Sequence, residues 1–137
     1  MDEAKASDNP NPQAFTRTVI RALKKYGLIE RSLLQSFDFR ILEAARLLEP
    51  RLRLSALFET DADFCAEAER LGAKFVSPDF NLLKSEHVEA CHRAGLEVHP
   101  WTLNTESEWN RALDMGVDGI ITDYPRKLIT YLKSRAP

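Results

Sequence analysis

AKFVSPDFNLLKSEHVEACHRAGLEVHPW, residues 73–101, is the stretch whose reading decides the fold. It opens on a short apolar run, AKFVSPDF, bounded by turn-forming residues, which reads as a strand. A helix follows through Val88 and Cys91 and stops at Gly95, where a left-handed residue ends the turn. LEVHPW then begins a second apolar run. Strand, helix and strand with short connections is the signature of two parallel strands joined by a crossover helix.

The same unit recurs on both sides. Gly27, Pro50, Gly72, Gly95 and Gly116 each close a helix-like stretch and precede a strand-like one, at intervals of 23, 22, 23 and 21 residues. On the N-terminal side, Asn11-Pro12 supplies an N-cap and first-turn pair for a helix bearing Phe15, Val19, Leu23 and Tyr26. SLLQSF (32–37) reads as a strand, and Asp38 caps a helix with Ile41, Leu42, Ala45 and Leu48. LRLSALFE (52–59) alternates as a strand does, and Asp61 opens a helix with Phe64, Ala68 and Leu71. On the C-terminal side, Thr105 and Glu108 form a capping box before Trp109, Ala112 and Met115. The run 119–122 reads as a strand, and a last helix carries Leu128, Tyr131 and Leu132. The order is helix, then strand–helix five times. A period near 22 residues also suits a solenoid. An open doubly wound sheet and a (β/α)8 barrel both accept the alternation, and the even spacing without a long reversal favours the barrel. Such barrels take about 250 residues, so five units make either an open five-stranded sheet or the later part of a barrel.

Composition narrows the function classes. The chain has 137 residues, 44% apolar and 29% charged, with net charge −2. That balance argues against nucleic acid as a partner, and no apolar run reaches the roughly 20 residues that span a bilayer. The polar opening MDEAKASDNPNP is unlike a signal peptide, so a cytoplasmic setting is expected. Cys65 and Cys91 make neither a CxxC pair nor a disulfide ladder and read as reduced helix residues without chemistry.

Three motifs fall in order at the ends of consecutive strands: QSFD (35–38), HPWTLN (99–104) and GVDGIITDYP (116–125). With the intervening AKFVSPDFNLL and EACHRAGLEVHPW, they make residues 13–132 resemble the C-terminal half of the glycerophosphodiester phosphodiesterase family. The resemblance implies a (β/α)8 barrel that hydrolyses glycerophosphodiesters to an alcohol and glycerol 3-phosphate with a divalent cation, Ca²⁺ or Mg²⁺. SLLQSF then corresponds to strand four, LRLSALFE to five, AKFVSPDF to six, LEVHPW to seven and GIITD to eight. Residues 13–134 would be the later part of the barrel domain. Residues 1–12 would be a polar segment that is either a tail or a remnant of strand three. In the second case Glu3 corresponds to the family's metal-binding glutamate and Lys5 to its phosphate-side lysine.

The family's His-Arg-Gly motif, its acidic metal pair and its second histidine have no counterpart in the 137 residues. His87, His92 and His99 read as surface or structural groups, since 87 and 92 do not share the i, i+4 face of a helical metal pair. Trp101 is expected at the barrel mouth, as a wall against the organic part of the substrate. Phe37 is balanced between mouth and core. Asn104 and Thr102 are open to hydrogen bonding with a ligand or to turn chemistry, while Asp38 and Asp123 read first as helix caps. The expectation is a chain inactive alone that forms a homo-oligomer or pairs with the other half of the barrel, because open strand edges pair with other chains. A non-catalytic barrel-derived binding module is the alternative, and an unrelated flavodoxin-like domain a third reading.

Overall fold

The computed structural model describes residues 11–135. Helix α1 (Pro12–Lys25) precedes a single 3₁₀ turn (Ile29–Arg31). Then β1 (Leu33–Ser36), α2 (Phe39–Leu48), β2 (Arg53–Phe58), α3 (Phe64–Leu71) and β3 (Phe75–Pro78) alternate. A 3₁₀ turn (Phe80–Leu82), α4 (Ser85–Arg93), β4 (Glu97–Val98), α5 (Glu106–Met115) and α6 (Pro125–Arg135) complete the order.

All four strands are parallel and stand side by side in chain order. A doubly wound sheet reverses its strand order at a switch point, and this sheet does not. Crossovers are right-handed almost without exception, so the connecting helices fall on one face. Consecutive helices α1 to α4 accordingly pack against one another as a single outer layer. That is the local geometry of a barrel wall.

Register sets the two faces. Ser36, Ala56, Val76 and Val98 share one row, and Leu54, Ala56, Phe58, Val76 and Val98 are buried against the helices with Leu42, Ala45, Phe64, Leu71 and Val88. Side chains alternate along a strand, so the adjacent row, Gln35, Ser55, Phe75 and Glu97, faces the other way. Gln35, Arg53 and Glu97 on that concave face are exposed. Ser55 and Ser77 are buried there and satisfy each other, with Oγ atoms 2.8 Å apart.

Helix caps follow the sequence at most ends. Asn11 accepts from the Ala14 N–H, Asp38 from Arg40 and Thr105 from Glu108. The third cap differs from expectation: Asp63 rather than Asp61 caps α3, accepting from the Ala66 N–H at 3.0 Å. Glu49, at the C-terminus of α2, is buried and ion-paired to Lys24 of α1 at 3.1 Å and to Arg51 at 2.9 Å. Their hydrogen bonds hold its carboxyl down at about 2.

Two expectations need correction. Cys65 and Cys91 are not reduced. Neighbouring α3 and α4 bring their Cα atoms to 5.3 Å, and they form a disulfide. The pairing is tertiary, between cysteines 26 residues apart on different helices, so no local motif announces it. The stretch 119–122 is not a regular strand. It runs beside β4 and its extension through four backbone bonds: Asp118 and Gly119 N–H to Val98 O, Ile121 N–H to Pro100 O and Leu103 N–H to Ile121 O. Gly119 is required there, since a Cβ would stand 2.9 Å from the His99 ring.

Candidate functional site at the strand ends

Parallel α/β folds gather their chemistry where the strands end, because the loops that follow converge there. In this chain those positions carry Phe37 after β1, Glu59 after β2, Asp79 after β3 and Trp101 beyond β4. Trp101 is the best-fixed of them. Its backbone bridges to Asp79: its N–H donates to Pro78 O at 3.1 Å, and its carbonyl accepts from Phe80 N–H at 2.8 Å. Its indole Nε1–H donates to Ser77 O at 2.9 Å. The peptide that follows it, to Thr102, is cis.

Phe37 meets Trp101 edge to face, with ring centroids 5.6 Å apart and planes at 89°. The structure thus brings Trp101, expected at the mouth, together with Phe37, which the sequence left between mouth and core, from strands separated by β2 and β3. Both are half-buried. Edge-to-face pairs are held by the ring quadrupoles and keep a preferred angle, so the two rings form a shaped apolar wall.

Asn104 serves the loops. Its Nδ2 donates to Asp123 Oδ2 at 2.8 Å, and its Oδ1 accepts from Asp123 N–H at 2.9 Å and from Thr122 Oγ1 at 3.1 Å. One side chain therefore ties the loop after Trp101 to the turn into α6. Asp123 was expected as the cap of that helix. Its carboxylate instead receives Asn104, while Thr122 Oγ1 accepts from the Tyr124 N–H. Asp38 is the cap expected of it and also grips Arg40, which holds its carboxyl below the usual carboxylate range. Thr102 is exposed beside the wall.

Each of the three histidines makes contacts within the fold. His87 accepts from the Lys84 N–H at the start of α4 and packs on Phe64. His92 meets Asp118 at 2.8 Å. His99 lies over Phe75, and burial pushes its imidazole below the ordinary value against the pull of Glu97 and Asp118. Glu3 and Lys5 lie outside the described residues. Among the described residues, no group of three His, Cys, Asp or Glu side chains is placed to hold a metal ion. A hard divalent cation needs several oxygen ligands at once, so these residues alone do not fit one.

Sequence reasoning passes over a second feature. A cleft of about 490 Å³ opens at the ends of β1 and β2, lined by Phe37, Phe39, Leu57, Phe58, Glu59 and Asp63 among others. The signal was present in LRLSALFE, where Glu59 directly follows Phe58, the last residue of β2. A larger cleft, about 630 Å³, lies between α5 and α6 and is lined by Asn104, Glu106, Trp109, Arg126, Lys127 and Tyr131 among others.

Residues 1–127 match the model of the glycerophosphoryl diester phosphodiesterase family. A glycerophosphodiester phosphodiesterase of Caldanaerobacter subterraneus subsp. tengcongensis is 31% identical over 84% of this chain and 48% of its own length. One from Bacillus subtilis is 31% identical over 78% of this chain and 40% of its own. The crystal structure of a glycerophosphodiester phosphodiesterase from Parabacteroides distasonis superposes with a TM-score of 0.83 at 26% identity, covering 92% of this chain and 53% of that one. The chain spans about half the length of the relatives it matches. The parallel wall with its strand-end aromatics is therefore part of a phosphodiesterase (β/α)8 barrel, and the chain belongs to the glycerophosphoryl diester phosphodiesterase family.

Proposed function

We propose that this chain supplies the strand-four to strand-eight half of a glycerophosphodiester phosphodiesterase site, and that its 137 residues alone do not turn over substrate. The observation that carries the reading is the Phe37–Trp101 pair at the strand ends, 5.6 Å apart, in a chain of this family. The reaction cleaves a P–O bond of the diester with water, giving an alcohol and glycerol 3-phosphate. Acid–base catalysis and charge stabilisation at phosphorus belong to groups on the first three strands. This chain's own residues bind and orient. Trp101 and Phe37 wall off the organic part of the substrate and exclude water from that side. Asn104 positions the last two loops rather than touching phosphate. If residues 1–5 close a third strand as the family resemblance implies, Lys5 would neutralise a phosphate oxygen and Glu3 would be one oxygen ligand for Ca²⁺ or Mg²⁺, which would polarise the phosphoryl group.

The partner surface is the sheet itself. Among the described residues the outer edge of β1 is unpaired, and half-buried Leu33 and Leu57 lie on the concave face. The other half of the barrel, in the same polypeptide or added separately, covers both. A second copy of this chain is the substitute partner when that half is missing. No helix among the described residues is long and apolar enough to cross a membrane. The expected cytoplasmic setting sits poorly with the Cys65–Cys91 disulfide, which an oxidising compartment preserves better.

The test uses the chain reconstituted with the first half of the Caldanaerobacter relative. Trp101→Ala should raise KM about 10-fold with kcat within about 2-fold, because an apolar wall touches ground state and transition state alike. A loss confined to kcat would place Trp101 in the chemistry and contradict the reading.

A further inference from the structure

We infer that the outer seam between α1 and α2 docks on an anionic lipid surface. Helix α1 carries four cations, Arg17, Arg21, Lys24 and Lys25, and no carboxylate, in a chain whose net charge is −2. Arg17, Arg21 and Lys25 recur at every fourth residue, so they form one exposed line with steps of about 6 Å along the helix. Lys24 is paired with Glu49. Among the described residues, Arg17, Arg21 and Lys25 meet no carboxylate, and Lys25 lies over the Tyr26 ring at 5.4 Å. The carboxylates across the seam are already neutralised: Glu43 pairs with Arg70 at 2.7 Å, and Glu49 with Lys24 and Arg51 at 3.1 and 2.9 Å. Exposed charges beyond about 10 Å are screened, so acidic residues elsewhere on the chain do not cancel this patch.

Apolar side chains stand beside the cations. Leu47, 82% exposed, and Leu48 lie on the α1 side of α2, in two grooves that run between the helices. Leu48 shares its groove, about 320 Å³, with Arg17, Ile20, Arg21 and Lys24. In a complete barrel this seam stays on the outside, because both of its helices belong to this chain. The opposite flank of α1, with Phe15, Val19 and Ala22, is the one left for the preceding helix. Protruding leucines enter the boundary between headgroups and acyl chains, while long arginine and lysine side chains keep their charge at the phosphates. A folded acidic protein instead binds through an anchor side chain seated in a pocket. Here the apolar side chains stand out from the surface and the charges are strung along a line, which suits a continuous layer of anionic headgroups.

The probe is co-sedimentation of the 137-residue chain with vesicles of phosphatidylglycerol and phosphatidylcholine in equal parts, compared with vesicles of phosphatidylcholine alone. Binding to the anionic vesicles should be at least about 10-fold tighter and should be lost as salt rises to about 0.5 M. Arg17→Gln Arg21→Gln should weaken it about 20-fold, and Leu47→Ser about 3- to 10-fold, with unchanged circular dichroism spectra. Arg126→Gln Lys127→Gln, which removes the same charge from α6, should leave it within about 2-fold. Equal binding to neutral and anionic vesicles would assign the contact to the open concave face and overturn the inference. So would an equal loss in the α6 variant, or binding of a polyglutamate peptide at this seam without binding of vesicles. Because no hydrolysis is measured, failure here leaves the phosphodiesterase reading untouched.

Discussion

Asn104→Asp should destabilise the protein more than its near-identical shape suggests, and Asp123→Asn added to it should restore most of the loss. Asn104 makes three side-chain hydrogen bonds to residues 122 and 123, at 2.8, 2.9 and 3.1 Å. Taking the lower part of the usual net range for partly exposed groups, they sum to about 2 kcal/mol. The aspartate keeps the two accepting bonds, to the Asp123 N–H and the Thr122 hydroxyl, and loses the donated one. It also sets a second carboxylate within about 3 Å of the Asp123 carboxylate, a repulsion of roughly 1–3 kcal/mol at a half-exposed position. The single variant should lose about 2–4 kcal/mol, and the loss should shrink near pH 4 as one carboxyl takes a proton. The double variant exchanges donor and acceptor between the two positions and rebuilds all three bonds. Urea unfolding at pH 7 reads this directly. With a slope of about 1.5 kcal/mol per molar, the single variant's midpoint falls by about 1.3–2.7 M and the double variant recovers more than half of it. Additive single and double effects, coupled by less than about 0.5 kcal/mol, would refute the role assigned to Asn104.

Other consequences follow from single features. Reducing the Cys65–Cys91 disulfide, which closes a 26-residue separation, should cost about 3.5 kcal/mol on the loop-entropy account, seen as a lower urea midpoint under reductant that a Cys65→Ser Cys91→Ser variant matches and no longer shifts. Glu49, held at about 2 by Arg51 and Lys24, has a depressed carboxyl. Its contribution is therefore full above the unfolded value near 4.5 and lost as pH falls toward 2, so Glu49→Gln should flatten the stability profile between those limits. His99 is also depressed, by burial, so its share of stability falls as pH drops below about 6.5, and His99→Gln should remove that part of the slope. Gly119→Ala should destabilise the segment beside β4, because the new methyl meets the His99 ring at 2.9 Å, and the double variant with His99→Ala should recover part of the loss.

Much of the architecture was legible because the signals were local. Glycine and proline stops, the caps at Asn11, Asp38 and Thr105, and the run of apolar residues at each strand all act within a few residues of themselves. Trp101 and Phe37 could be placed at strand ends from their motifs, and the structure adds that they touch. What escaped the sequence is tertiary. The disulfide depends on α3 and α4 lying side by side. The stretch 119–122 keeps strand-like composition, yet it settles as an irregular run because Gly119 must pass over His99 and Asn104 takes the hydrogen bonds of residues 122 and 123. Asp61 and Asp63 are chemically equivalent caps two residues apart, and only the packing of Phe64 into the core chooses between them. The acidic cleft was missed for a similar reason. Glu59 and Asp63 stand at the two ends of the loop after β2, and they line one cleft only through the way that loop folds over the strand ends.

Release of glycerol 3-phosphate from glycerophosphocholine, with Ca²⁺ or Mg²⁺ supplied, tests the central claim most directly. Here the purified 137-residue chain is measured alone and after reconstitution with the first half of a family barrel. The chain alone should stay at background, since loss of acid–base catalysis by itself costs about 10²–10⁴ in rate. The reconstituted enzyme should release product in a metal-dependent way, and Glu3→Ala or Lys5→Ala should lower its turnover by roughly 10²-fold. Metal-dependent release by the chain alone, or a reconstituted barrel that folds and stays inert, would contradict the account.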